Sequence, residues 1–489
     1  MFVEYPPEPS KVNGHAPPAS AQHPALEDDW EPPADSDAPP RDQGGARLTE
    51  LDVSERLVRT HGVNLRHCAA LGGWHVWTGT HWLRDDREQA RERAKDIARA
   101  IAIEAAEALN KELFRAASAA GSASGISNVL ALTRSVPSIV FSPDDANRDP
   151  WLLNCQNGTV DLRTGELRPH DRGDLVTRIC PVDYDRAAVA PTFDRFLREV
   201  QPAEEVRQYL ARLFGYAAVG LVREHVLGVL WGPGANGKSV LADAVTHVLG
   251  DYAKPGPSSL LVVNGHHEPH PTDVATCVGS RLVVVHETKR GAGFDSSKVK
   301  LLTGGDKLTA RYMRQDYFDF SPSHTLIMLS NYRPQADATD AALWRRVQLI
   351  PFEVVIPEEK RDHELADKIR AEAAGVLRWL VDGAVEWQRV GLAPPMIVKE
   401  QTAKYRASED VIGQFLEEHT VRLPEASVKA GTLYAAFKKW CEDSGQRAAN
   451  GKDFAAELIG RGFERAERSF GRIYKGIGLS AGGEADRGE

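Results

Sequence analysis

The segment HVLGVLWGPGANGKSVLADAVTHVLG places Gly232, Pro233, Gly234, Ala235, Asn236, Gly237, Lys238 and Ser239 in an order suited to holding phosphate. Glycines let backbone N–H groups curl around the β- and γ-oxygens of a nucleoside triphosphate, and the ammonium of Lys238 neutralises their charge. The hydroxyl of Ser239 is a hard oxygen ligand for Mg2+. The flanks separate this reading from a mere Gly-rich turn. Val226, Leu227, Val229 and Leu230 form an apolar strand before it, and Leu241, Ala244, Val245 and Val248 share one face of a helix after it. ATP with Mg2+ is the expected ligand.

Other residues gain meaning from that loop. The apolar run RLVVVH ends against Glu287, where an NTPase places the acid that polarises water and supports the metal. Without the loop, a salt-bridged surface glutamate is the default. The run HTLIMLSN ends in Asn331, whose amide can bond the lytic water or the γ-phosphate; a turn-forming Asn ahead of Tyr332, Arg333 and Pro334 is the competing account. In DAALWRRVQLIPF, Arg345 and Arg346 precede an apolar strand and are placed to reach a γ-phosphate held by a neighbouring subunit. Adjacent residues on a strand edge point to opposite faces, so at most one is such a finger.

Positioning these groups requires strands alternating with helices from residue 202 to residue 357, an α/β nucleotide-binding sheet. Ahead of it, residues 1–46 are rich in Pro, Ala, Asp and Glu and read as a disordered leader. Residues 47–201 read as a mixed unit: GWHVWTGTHW as strand, turn and strand, Ile97, Ile101 and Ala105 on one face of a helix, and turns at Asn157-Gly158 and Thr164-Gly165. Trp74, Trp77 and Trp82 are read as packing residues rather than a base-stacking platform. After the sheet come helical residues 358–416, a smaller unit over 417–479 in winged-helix order, and a tail, 480–489.

The 489 residues suffice for about three domains of ~150 each. A net charge of −9 excludes a globally basic surface, so nucleic-acid contact has to come from local clusters of Lys and Arg. Cys68, Cys155, Cys180, Cys277 and Cys441 are scattered, which excludes a zinc module at ligand spacing. No apolar run approaches the ~20 residues of a membrane span, so the cytoplasm is the expected location.

In their order, GPGANGKS, RLVVVHET, KLLTGGDKLTARYM, TLIMLSN and ALWRRVQLIPF resemble the superfamily 3 helicase core of phage and plasmid primase-helicases. LNCQNGTVDLRTGELRPH resembles the domain preceding that motor, and LYAAFKKWCEDSG with RIYKGIGL resembles its C-terminal winged helix. The resemblance implies an AAA+-like P-loop NTPase core with a mixed α+β N-terminal domain and a winged helix. It also implies a homohexameric ring around one strand of single-stranded or forked DNA, a separate primase as partner, and no membrane. Carried over by matching position, Lys238 and Ser239 hold phosphate and Mg2+, Glu287 acts in hydrolysis and as metal support, Asn331 senses the γ-phosphate, and Arg345 or Arg346 is the finger. The stretch from Lys300 to Arg314 matches a DNA-contacting hairpin, with Lys300, Lys307, Arg311 and Arg314 as the cations that track phosphates; some of them are equally readable as solvated surface charges.

Two departures shape the expectation. His286 stands where many such motors carry a second acid, so metal support rests on Glu287 alone or recruits Asp306 or Asp295. The leader, residues 1–46, has no room for a polymerising domain, so priming is not carried over. The expected activity is ATP-dependent DNA unwinding in phage, plasmid or prophage replication. The alternatives are a nucleic-acid-dependent ATPase that initiates or loads without processive unwinding, and a remnant that only binds.

Overall fold

The computed structural model of the chain describes residues 48–263, 271–286, 291–469 and 471–480. The expected leader, residues 1–46, and Glu287 lie outside the described residues. Five parallel strands make the central sheet: β1 Leu227–Trp231, β2 Ala253–Gly256, β3 Leu282–His286, β4 Thr325–Ser330 and β5 Val347–Pro351. Their spatial order is β5-β1-β4-β3-β2. The helices that matter for the site are α1 Pro191–Val200, α2 Glu204–Val219, α3 Lys238–Leu249, α4 Ser296–Leu302, α5 Ala373–Val390 and α6 Met396–Glu409.

The strands are apolar throughout because both faces of the sheet are covered. Side chains alternate between two cores. Leu230, Val284, Ile327 and Ile350 face α2, α3 and α5, while Val229, Val283, Met328 and Leu349 face Val299 and Leu302 of α4 and Tyr405 of α6. On the first face α2 and α5 touch backbone to backbone: a Cβ on Gly383 would stand 2.0 Å from the Ala211 carbonyl oxygen.

The unit expected over residues 47–201 divides between two cores. Helices Glu50–His61 and Gln89–Glu107 close over the sheet of Leu65–Cys68, Gly73–Trp77 and Trp82–Arg84, with Ile97 and Ile101 buried. Trp82 is buried against Trp77, in keeping with a packing role. The second antiparallel sheet, Leu152–Cys155 with Gly158–Asp161 and Glu166–Arg168, instead shares the core of α2 and α5 through Leu153, Val160 and Leu162. Arg281, just before β3, is buried at this seam and donates to Leu152 O (2.8 Å) and Ala218 O (2.7 Å) while lying over the Tyr252 ring.

Past α6, a small unit runs in the order helix Val411–His419, strand Ser427–Lys429, helices Ala430–Asp443 and Gly451–Gly460, and strands Arg465–Arg468 and Gly471–Lys475. The three strands form one antiparallel sheet around Phe415, Phe437 and Phe454. Within it, Gly471–Lys475 pairs antiparallel with the preceding Arg465–Arg468.

Candidate functional site

Strand β1 feeds directly into the glycine-rich loop, and the loop into α3. The loop turns hard against the exit of β5, where Phe352 N donates to Trp231 O (2.6 Å) and Asn236 Nδ2 donates to Phe352 O (2.7 Å). A Cβ on Gly232 would sit 2.0 Å from Phe352 O, so the position requires glycine. Gly237 adopts φ +81°, and a Cβ there would meet Val200 and Phe196 of α1 at 2.7 and 2.8 Å. No side chain caps α3 at this residue, so its first-turn amides face the loop's interior as an anion-binding end.

Lys238 is buried, and its ammonium occupies the loop's hollow. Nζ donates to Gly232 O (2.6 Å), Pro233 O (3.1 Å), Asn236 Oδ1 (3.0 Å) and Asn331 Oδ1 (3.1 Å). Burial pulls its pKa down from 10.5 to about 8. All four acceptors are uncharged oxygens, so a phosphate group entering the hollow would supply the missing negative charge. Asn331 is close because β4 neighbours β1 in register, with Ser330 opposite Trp231. Ser239 is exposed on the first turn of α3 and fits a hard cation such as Mg2+ as one oxygen ligand. His286 ends β3 at the same edge of the sheet.

The reserve carboxylates are placed differently. Asp295 caps α4, accepting from Lys298 N (3.1 Å), and pairs with Lys298 Nζ (3.3 Å). Asp306 follows Gly305, which lies by Val222 and His225, just ahead of β1. That is the far edge of the sheet from the glycine-rich loop, out of reach of a metal held by Ser239.

Beside the loop runs a groove of about 470 Å³, walled by Phe196, Val240, Ile356 and Leu365 with Arg195 and His363 at hand. Its apolar walls and size suit a nucleoside base next to a phosphate hollow. Its residues come from three separate stretches of chain, and no local pattern marks them. Arg333 is a second residue that sequence reading passed over: its guanidinium lies 4.2 Å over the ring of Trp231, the residue before Gly232, and 5.8 Å from that of Tyr405.

Arg345 and Arg346 sit in the turn between the one-turn helix Ala341–Trp344 and β5, just ahead of an apolar strand as expected. Arg346 turns inward, with Nε donating to Thr303 Oγ1 (3.1 Å) and Nη1 to Ala342 O (2.8 Å). Arg345 is exposed in a cleft of about 440 Å³. Val347 pairs with Leu227 and Pro351 with Trp231, so both arginines lie at the start of strands whose other ends meet the loop. About 13 Å of strand separates them from their own loop.

Of the expected phosphate-tracking cations, Lys300 is on α4 and pairs with Asp340 (2.9 Å). Lys307 immediately precedes an antiparallel hairpin, Leu308–Arg311 with Tyr317–Phe320, Arg311 ends its first strand, and Arg314 is at the tip with φ +60°. The sequence reading named only the cations there. The hairpin also carries aromatics: Tyr312 stacks on Phe318 at 5.1 Å, Arg311 lies 4.9 Å over the ring of Tyr317, and Met313 is 79% exposed.

A family model described as "D5 N terminal like" matches residues 54–202, and one described as "Family of unknown function (DUF5906)" matches residues 230–346. A helicase-named protein of Acanthamoeba polyphaga mimivirus is 27% identical over 328 residues, 62% of this chain and 34% of that protein. A helicase-named protein of Frog virus 3 is 25% identical over 319 residues, covering 61% and 31%. A primase-named protein of African swine fever virus is 23% identical over 323 residues, covering 60% and 33%. The matched part spans about a third of the length of these relatives. Among solved structures, the apo C-terminal region of NrS-1 aligns with a TM-score of 0.39 at 15% identity, over 54% of this chain and 58% of that one. The two family models and these relatives make the chain similar to viral proteins named for helicase or primase activity. Among the described residues, no helix is long and apolar enough to cross a membrane.

Proposed function

We propose that the chain is the motor of an ATP-dependent DNA helicase of the superfamily 3 type. The observation that carries this reading is the buried Lys238 ammonium, bonded to its own loop and to Asn331 at the tip of the neighbouring strand. That bond puts the expected phosphate lysine and the expected γ-phosphate sensor within 3.1 Å of each other. In this reading ATP places its phosphates over the α3 N-terminus and its base in the groove by Phe196 and Ile356, Ser239 helps hold Mg2+, and Glu287 polarises water. Arg345 reaches a neighbour's nucleotide in a homohexameric ring, while Arg346 supports the turn. The hairpin with Arg311 and Arg314 contacts single-stranded DNA, and the C-terminal unit is read as a winged helix.

The test is ATP-dependent strand separation by the full chain on forks with a 3′ or a 5′ tail. Unwinding that disappears in Lys238→Ala and Glu287→Gln is the expected result. DNA-stimulated ATP turnover without strand displacement would instead assign an initiator or loader, and absence of turnover would sink the motor reading.

A further inference from the structure

The cleft that holds Arg345 also holds Lys399 and Arg406, and no carboxylate lines it. Lys399, Thr402, Ala403 and Arg406 follow helical spacing along one face of α6 and line the cleft together. The helix is fixed in place: Thr402 Oγ1 accepts the outward N–H of Leu349 (2.9 Å), so α6 covers the edge strand β5. Among the described residues, none of the three cations makes an ion pair with an acid. Arg406 Nε donates to Ala338 O (2.8 Å), which orients its guanidinium without neutralising it. Three like charges converging on an open cleft repel one another, and an anion relieves that repulsion.

The chain's own phosphate hollow lies at the opposite edge of the sheet and cannot supply that anion. A second copy of the chain presents its triphosphate on its surface, above the uncapped end of α3. We infer that Lys399 and Arg406 act with Arg345 as a three-cation receptor for the polyphosphate of a nucleotide bound to a second copy. This inference rests on the subunit-sharing reading above and extends it to α6. The adjoining flank of α6 adds a link. Tyr405 donates through its hydroxyl to Pro334 O, and Glu409 accepts from Ala336 N (2.9 Å), so the receptor helix also grips the segment following Asn331 in its own subunit.

Lys399→Ala and the double variant Lys399→Ala/Arg406→Ala test the inference in the full chain. Binding of a fluorescent ATP analogue should persist through each subunit's own hollow but weaken as the receptor's charge is lost, by less than turnover falls. ATP turnover should fall several-fold in the single variant and about tenfold or more in the double variant. Adding excess Lys238→Ala chain, whose cleft is intact, should restore part of it. Lys399→Ala alone carries the test if loss of the Arg406 bond loosens the fold. Turnover within twofold of the parent in both variants overturns the inference. So does loss that Lys238→Ala cannot rescue while Arg345→Ala is rescued under the same conditions; the shared-site reading then survives. If Arg345→Ala is not rescued either, in verified mixed assemblies, both readings fall. Weakened DNA binding with unchanged DNA-free turnover would assign the cleft to nucleic acid and also overturn it.

Discussion

At the C-terminal edge of the parallel strands, the Lys238 ammonium is buried and bonded to oxygens of its own chain; at the N-terminal edge, Arg345 is exposed and the hairpin carries Arg314 at its tip. The first site is shaped by backbone: Gly232 against Phe352, Gly237 against α1, and an uncapped helix end. The second is a display of side chains awaiting something from outside the subunit. A preorganised site fails within its own chain when altered, whereas a displayed one fails in what it contributes to something outside the chain, so the two edges should fail in different ways.

The largest effect should come from Lys238→Ala, which removes the ammonium held in the hollow: ATP turnover drops by about 10²–10³ with little change in melting temperature. Normal turnover would break the contrast at its strongest point. Next is the arginine pair. Arg345→Ala should cut turnover by about 10² at unchanged stability, while Arg346→Ala, losing its bonds to Thr303 and Ala342, should destabilise by roughly 1–3 kcal/mol, read as a lower melting temperature. The reverse pattern would make Arg346 the outward-acting residue.

The hairpin separates two kinds of contact. Tyr312→Ala with Tyr317→Ala should weaken single-stranded DNA binding about tenfold and leave its salt dependence intact, because stacking on bases releases few counterions. Arg311→Ala with Arg314→Ala should instead flatten the plot of log K against log salt by about 1.4. A flattened slope in the tyrosine variant would mean the hairpin acts through charge alone.

The smallest effect is a pH dependence that belongs to the buried edge only. Burial holds Lys238 at about 8, and a phosphate bound beside it would raise that pKa, so ATP binding should take up a proton once the pH exceeds about 8. Below that pH the lysine is charged in both states and affinity is level; between pH 7.5 and 8.5 affinity should fall about threefold. Calorimetry in buffers of different ionisation enthalpy should show the uptake, and proton release would reverse the assignment.

The same contrast explains what the sequence disclosed. Strand, loop and α3 were legible because GPGANGKS is contiguous and Leu241, Val245 and Val248 keep helical spacing. Asn331 was legible as a strand end, though its bond to Lys238 depends on β4 lying beside β1, which no local pattern states. Arg345 and Arg346 were indistinguishable because Thr303, which holds Arg346, lies on another element. Lys300 looked like a channel cation because Asp340, its partner, is equally distant in sequence. Strand Arg465–Arg468 was missed since RAER has no apolar alternation; it is a polar edge paired with Gly471–Lys475.

Helix α1 has a practical consequence. Its Phe196 and Val200 brace Gly237, Gln201 just after it donates to Pro351 O (2.7 Å), and Glu372, from beyond the sheet, accepts the amides of Thr192 and Phe193. A fragment cut at residue 202, where the first family match stops, would therefore leave the wall of the phosphate hollow on the discarded piece. The shortest excised fragment that keeps the loop and its supports whole begins at or before Pro191 and continues through α6, so the gene for such a fragment has to overlap both matched segments rather than start at the second.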